Sequence, residues 1–144
     1  MDRKEVTMIS KTTVIAICLF AIYGCDSTKV SENTSTLDVN FEWTKTSACS
    51  SISPAIQVGN IPHETKYLEV KMVDLDMPTY DHGGGEVAYD GSDSISEGSL
   101  KSYTGPCPPP GVEHTYEITV KALSDDKKLI LGQGKAVRKF KKEG

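Results

Sequence analysis

The sequence predicts an all-β fold, a two-sheet antiparallel β-sandwich with little helix. Several short stretches alternate apolar and polar residues with the period of a half-buried strand, Gly- and Pro-rich turns separate them, and past the N-terminal region no stretch sustains a 3.6-residue hydrophobic repeat. Leu37-Asp38-Val39-Asn40-Phe41-Glu42-Trp43 opens the domain with such an alternation. Lys66 to Val73 alternates in the same way, and Glu86 to Tyr89 is a weaker strand candidate. Ser94 to Lys101 is the one segment with the composition of a short helix. Tyr116 to Ala122 is a third clear alternation, and Ser124-Asp125-Asp126-Lys127 reads as a hairpin turn into Leu129-Ile130-Leu131. Ala136 to Phe140 supplies the last strand.

The N-terminus stands apart from the fold. Residues 1–24 begin with Arg3, Lys4 and Lys11 and continue into an apolar run from Val14 to Tyr23, the pattern of a secretory signal. The run is shorter than the roughly 20 residues a membrane span requires, which favours cleavage over a permanent helix. Ile22-Tyr23-Gly24-Cys25 resembles the bacterial lipobox, whose cysteine is acylated and becomes the new N-terminus, although Tyr23 is unusual at its place. An ordinary signal peptide with an incidental cysteine accounts for the same stretch. Asp26 resembles the inner-membrane retention signal of enteric bacteria, so the expected location is the cell envelope, lipid-anchored to the inner membrane and facing the periplasm. Residues 25–36 are polar and rich in Ser and Thr, and they read as a flexible tether.

Residues 37–144 then form one domain, within the usual size of roughly 100–150 residues for a single core. The chain carries a net charge of −4, and its basic residues cluster only at Lys135, Arg138, Lys139, Lys141 and Lys142. That cluster suits a solvated strand end better than a nucleic-acid surface. Once the signal is removed and Cys25 acylated, Cys49 and Cys107 are the thiols of the domain, and an oxidising compartment favours a disulfide between them.

Between Met72 and Lys101 there is no Lys or Arg, yet Asp74, Asp76, Asp81, Glu86, Asp90, Asp93 and Glu97 fall there with His82 and three successive glycines. Asp74 and Asp76 follow a strand and, at period 2, project to one side. Gly83, Gly84 and Gly85 let something approach the backbone without meeting a Cβ. A pocket and a solvated acidic loop with Asx-type turns account equally well for these residues. Downstream, Gly105-Pro106-Cys107-Pro108-Pro109-Pro110-Gly111 has few donors and nearly fixed φ, which suits a rigid wall. His114 and Tyr116 follow it, two apart and on one strand face.

In order, Ser53-Pro54-Ala55-Ile56, Gly59-Asn60-Ile61-Pro62, Asp74-Leu75-Asp76-Met77-Pro78, His82, Gly105-Pro106-Cys107-Pro108-Pro109 and His114-Thr115-Tyr116 resemble the phosphatidylethanolamine-binding protein family, over roughly Val39 to Phe140. The resemblance implies a two-sheet β-sandwich with a small pocket for anions such as phosphate-bearing head groups, built here from Asp74, Asp76, His82, Pro106, His114 and Tyr116. There are departures: Leu75 stands where the family has proline, Asp81-His82 replaces a Trp-His or His-His pair and removes an aromatic wall, and the sequence ends soon after Phe140 without the C-terminal helix of larger relatives.

These residues favour a binding module over an enzyme. Two histidines and a tyrosine hydroxyl can hydrogen-bond an anion, with Asp74 orienting a ring and serving ligand more than core. Catalysis would need Cys107 or a serine as nucleophile with His114 or His82 as base, and a disulfide-bonded cysteine cannot serve, so no catalytic residue is expected. A mixed site of Asp74, Asp76, His82 and His114 could ligate a metal, but no short ligand spacing supports it, and neither metal nor cofactor is expected. The expected partners are a small anion or phosphate-bearing head group and, through the N-terminal lipid, a membrane. The alternative is a protein-interaction module of the protease- or kinase-inhibitor type with a vestigial pocket.

Overall fold

The computed structural model describes residues 28–44 and 47–143, so the signal segment and Cys25 lie outside the described residues. Among them the chain forms strands β1 (Lys29–Thr36), β2 (Asp38–Phe41), β3 (Ile56–Gly59), β4 (Tyr67–Asp74), β5 (Asp81–Ala88), β6 (Ser94–Ile95), β7 (Ser102–Tyr103), β8 (Glu113–Leu123) and β9 (Leu129–Lys141), with no helix. One sheet has the order β1-β9-β8-β4-β5-β7 and the other β2-β3-β6. All pairings are antiparallel except β1 with β9. The all-β sandwich expected from the alternation is the fold observed.

The core lies between the sheets. Val39 and Phe41, with Ile56, Val58 and Ile95, form one side of a single apolar cluster, and Leu68, Val70, Met72, Ile118, Val120, Ala122 and Ala136 form the other. Period 2 makes this possible: β4 buries Leu68, Val70 and Met72 in turn, and β8 buries Tyr116, Ile118, Val120 and Ala122. Burying each such side chain contributes about 1.5–3 kcal/mol, so these interleaved faces dominate the stability of the fold. Of the basic residues near the C-terminus, Lys135 and Lys139 lie on the outward face of β9 and pair with Glu117 and Glu113, while Arg138 lies in the row of Ala136 and Phe140 and pairs with Glu42 just past β2.

Several expectations change. Residues 29–36, expected within the tether, form β1, which runs parallel to the start of β9. An edge strand needs only its backbone groups, and the mostly exposed side chains of Lys29–Thr36 require no apolar alternation. The helix expected over 94–101 is replaced by β6 and a turn, because Ser94 and Ile95 pair with Gln57 and Ile56 of β3. The separate strands expected at 129–131 and 136–140 are one strand. Its sequence hides this because glycine interrupts the alternation at Gly134, where an added Cβ would sit 2.2 Å from the Leu37 carbonyl oxygen.

The Cys49–Cys107 disulfide is present, with its cysteines 58 residues apart. Chain-entropy reasoning gives a closure of that length about 4 kcal/mol of stabilisation. Backbone bonds reinforce it: the Cys49 N–H donates to the Pro106 carbonyl at 2.8 Å and the Gly105 N–H to the Ser50 carbonyl at 2.7 Å.

Candidate functional site

Three strands deliver the site to one end of the larger sheet. Asp74 is the last residue of β4 and continues the buried row Leu68, Val70, Met72, so the alternation carries a carboxylate onto the core face. Tyr116 of β8 stands directly opposite it across the ladder, and His114 follows on the same face. On the other side of β4, Asp81 pairs with Val73 at a bulge, which turns His82 inward.

Asp74 and His82 are buried, and a network holds them. The His114 Nδ1–H donates to Asp74 Oδ2 at 2.7 Å, while Asp74 Oδ1 accepts the backbone N–H groups of Asp76 at 2.9 Å and Met77 at 3.0 Å. Burial pushes the Asp74 carboxyl up, but the His114 bond and the two backbone bonds together outweigh it and hold the group below its ordinary range. The His82 ring bonds through Nδ1 to the Thr104 carbonyl at 2.9 Å; a carbonyl only accepts, so Nδ1 carries the proton. His82 Nε2 then lies 4.0 Å from Asp74 Oδ2. Thr104 leads straight into the Gly/Pro/Cys loop, so the rigid loop positions a histidine as well as forming a wall.

A pocket of about 250 Å³ opens at this point, lined by Asp74, Met77, Tyr80, His82, Cys107, Pro109 and His114. Asp74, His82 and His114 are thus brought together. Tyr116 is fully buried beneath them, with the His82 ring edge-on at 5.4 Å and the His114 ring stacked at 6.3 Å. Its hydroxyl has no hydrogen-bond partner; burial, and after it the Asp74 charge, raises its ionisation well above the ordinary tyrosine range. Pro106 is buried and does not line the pocket, while its neighbour Cys107 does. Asp76 turns away from the pocket: it is exposed, and its Oδ2 accepts the Thr115 N–H at 2.6 Å, fastening the turn after β4 onto β8.

Two expectations about the acidic region are corrected here. The glycines after His82 do admit a close approach, but what approaches is neighbouring backbone. A Cβ on Gly84 would lie 2.0 Å from the Val70 carbonyl oxygen. Asp74, expected to serve ligand more than core, is a buried acceptor of three hydrogen bonds that shapes the turn. Asx-type turns also occur, at Asp81 to Gly83 and Asp90 to Ser92, so the pocket and the solvated loop coexist.

Sequence reasoning missed Met77 and Tyr80. Tyr80 packs against the His82 ring at 4.6 Å and restores an aromatic wall that the Asp81-His82 pair had seemed to remove. The only signal was its place, beside Asp81-His82 and two residues past Pro78. Among the described residues no cluster of three or more His, Cys, Asp or Glu side chains is arranged to hold a metal ion. Chemically, the arrangement offers two imidazoles oriented by acceptors, one apolar-aromatic wall and one proline wall, with no activated nucleophile on the pocket lining.

Residues 84–144 match a family model described as phosphatidylethanolamine-binding protein. Two solved structures share the fold. A putative phosphatidylethanolamine-binding protein homologue, CT736 from Chlamydia trachomatis, aligns with a TM-score of 0.60 at 18% identity, over 76% of this chain and 100% of that one. YbcL of E. coli, described as a new member of the mammalian PEBP family, aligns with a TM-score of 0.52 at 16% identity, over 77% of this chain and 95% of that one. No curated protein matches the chain.

Proposed function

We propose that the chain, whose residues 84–144 match the phosphatidylethanolamine-binding protein model and whose fold is shared with the two structures above, is a member of that family and a membrane-anchored periplasmic lipoprotein whose pocket binds a small anion or a phosphate-bearing head group without chemistry. The observation that carries this reading is the 2.7 Å bond from His114 Nδ1 to Asp74, which fixes the ring and leaves Nε2 as the nitrogen able to meet a ligand. Charge decides how it can work. With both histidines neutral the carboxylate makes the trio Asp74, His82 and His114 anionic, and an incoming anion is repelled. With one histidine protonated the trio is neutral, and with both it is cationic, so binding takes up protons and tightens as pH falls. Met77, Tyr80 and Pro109 would take the apolar part of a head group, and the cavity has room for phosphoethanolamine. The anchor rests on the sequence Ile22 to Cys25 alone.

The test is an NMR titration with phosphate, phosphoethanolamine and acetate, following the His82 and His114 ring signals. Saturable shifts of those rings support the reading, and their absence removes it in favour of the protein-interaction alternative.

A further inference from the structure

The pocket wall is closed by a covalent bond whose surroundings differ from those of an inert structural disulfide. Cys49 and Cys107 are both exposed, although they cross-link the wall of a pocket. Cys49 holds a left-handed backbone conformation, φ 52°, which costs a residue with a Cβ about 1–2 kcal/mol. A cation is placed beside one sulfur and not the other: the half-buried Lys142 Nζ lies 3.8 Å from Cys49 Sγ. Lys142 is held there by its own backbone, since its carbonyl accepts the Gly111 N–H at 2.9 Å, tying the end of β9 to the far end of the Gly/Pro loop. Among the described residues no carboxylate pairs with Lys142.

We propose that the Cys49–Cys107 disulfide is a thiol-exchange site: an external thiolate attacks Cys107 Sγ, and Cys49 leaves as a thiolate beside the Lys142 ammonium. Attack on a disulfide runs along the S–S axis, so the nucleophile must reach Cys107 from the side opposite Cys49. Cys107 lines the open pocket, and the proposed attack comes from that side. The sulfur–sulfur bond between the cysteines breaks, a bond between the incoming sulfur and Cys107 forms, and the electron pair departs on Cys49, where the ammonium offsets its charge. With a monothiol the product is a mixed disulfide at Cys107. With a dithiol reductant the second thiolate displaces Cys107, two electrons pass to the protein, and the reductant leaves as its own disulfide. The wall need not unfold, because the bonds from Cys49 N–H to Pro106 and from Gly105 N–H to Ser50 remain. Exchange therefore slackens the pocket wall reversibly, and it does so whatever ligand the pocket takes.

A neighbouring cation lowers the basicity of the leaving thiol and speeds its departure. With a sensitivity like the 0.4–0.5 known for attacking thiols, a tenfold gain in leaving-thiol acidity raises the rate about three-fold. The test treats the native full chain with 2-mercaptoethanol, whose attacking thiolate carries a single charge and no other ionic group for Lys142 to capture. Peptide mapping should place the adduct on Cys107 with Cys49 free, while the amides of β4 and β8 keep their exchange protection. Lys142→Gln should slow adduct formation about three-fold at low salt, with the difference lost near about 1 M salt. Lys142→Arg and Lys141→Gln should leave the rate unchanged. An adduct on Cys49, a rate equal to that of global unfolding, or an unaltered rate in Lys142→Gln would each overturn the proposal.

Discussion

Replacing Asp74 separates its two jobs, holding the turn and setting the His114 proton. In Asp74→Ala the His114 Nδ1–H and the N–H groups of Asp76 and Met77 all lose their acceptor. Hydrogen bonds to a charged group contribute roughly 1.5–3 kcal/mol each, so the buried His114 bond alone is expected to cost about 2 kcal/mol. Asp76 and Met77 are exposed, water replaces much of what their amides lose, and each is expected to cost about 1 kcal/mol. The burial cost of the carboxylate disappears as well, which leaves an expected net loss of about 3 kcal/mol. Asp74→Asn keeps an oxygen for the two amides but turns an NH₂ toward His114, where donor would meet donor. The ring relieves this by moving its proton to Nε2, so Asn should cost only about 1–2 kcal/mol while inverting the tautomer. Urea denaturation measures the first difference, and two-bond proton–nitrogen NMR correlations of the imidazole report the tautomer directly. Equal destabilisation by Ala and Asn, or a His114 proton that stays on Nδ1 in the Asn variant, would refute this assignment of roles.

Acid titration should show the same carboxylate from another side: its folded pKa lies below its ordinary 3.8, so its stabilisation is complete above that value and is lost as pH falls through the folded one. The stability gap between wild type and Asp74→Asn should therefore narrow below pH 3.8 in equilibrium unfolding, and a widening gap would contradict the sign. Gly84→Ala should cost about 3 kcal/mol or more, or prevent folding, because the Cβ meets the Val70 carbonyl at 2.0 Å. Gly91→Ala, where nothing lies within 4 Å, should cost only about 1–2 kcal/mol for its positive φ in thermal melts. If Cys25 is acylated, the wild-type chain should incorporate palmitate and sediment with membranes, and Cys25→Ala should be released.

The fold was legible wherever one strand face meets the core and the other meets water. Lys66 to Val73 and Tyr116 to Ala122 announce β4 and β8 because burial imposes alternation on them. β1 was illegible for the opposite reason: Lys29–Thr36 joins the sheet through backbone alone, and nothing in KVSENTST records which groups its amides face. Ser94 to Lys101 looked helical because two paired residues carry no periodicity. At the site, Asp74, His82 and His114 were readable as polar residues at strand ends beside a stiff loop, and the structure brings those three together. Asp76 was misplaced because period 2 stops applying where β4 ends, one residue after Val73 pairs with Asp81. Tyr80 and Met77 reach the pocket through the shape of a turn, which side-chain periodicity does not encode.

The measurement closest to the central claim is the pH dependence of anion binding, read at His114. Sulfate and phosphoethanolamine are titrated into the protein at about pH 5.5 and about pH 7.5, with the His114 and His82 ring signals as the readout; sulfate keeps a constant charge across this range, so any change belongs to the protein. Each proton taken up with the ligand can strengthen binding by at most tenfold per pH unit. The account predicts saturable shifts of both rings, tighter binding at the lower pH, and a weaker pH dependence in Asp74→Asn, whose neutral His114 already presents an Nε2–H. Binding that is absent at both pH values, or equally tight at both in the wild type, would contradict it.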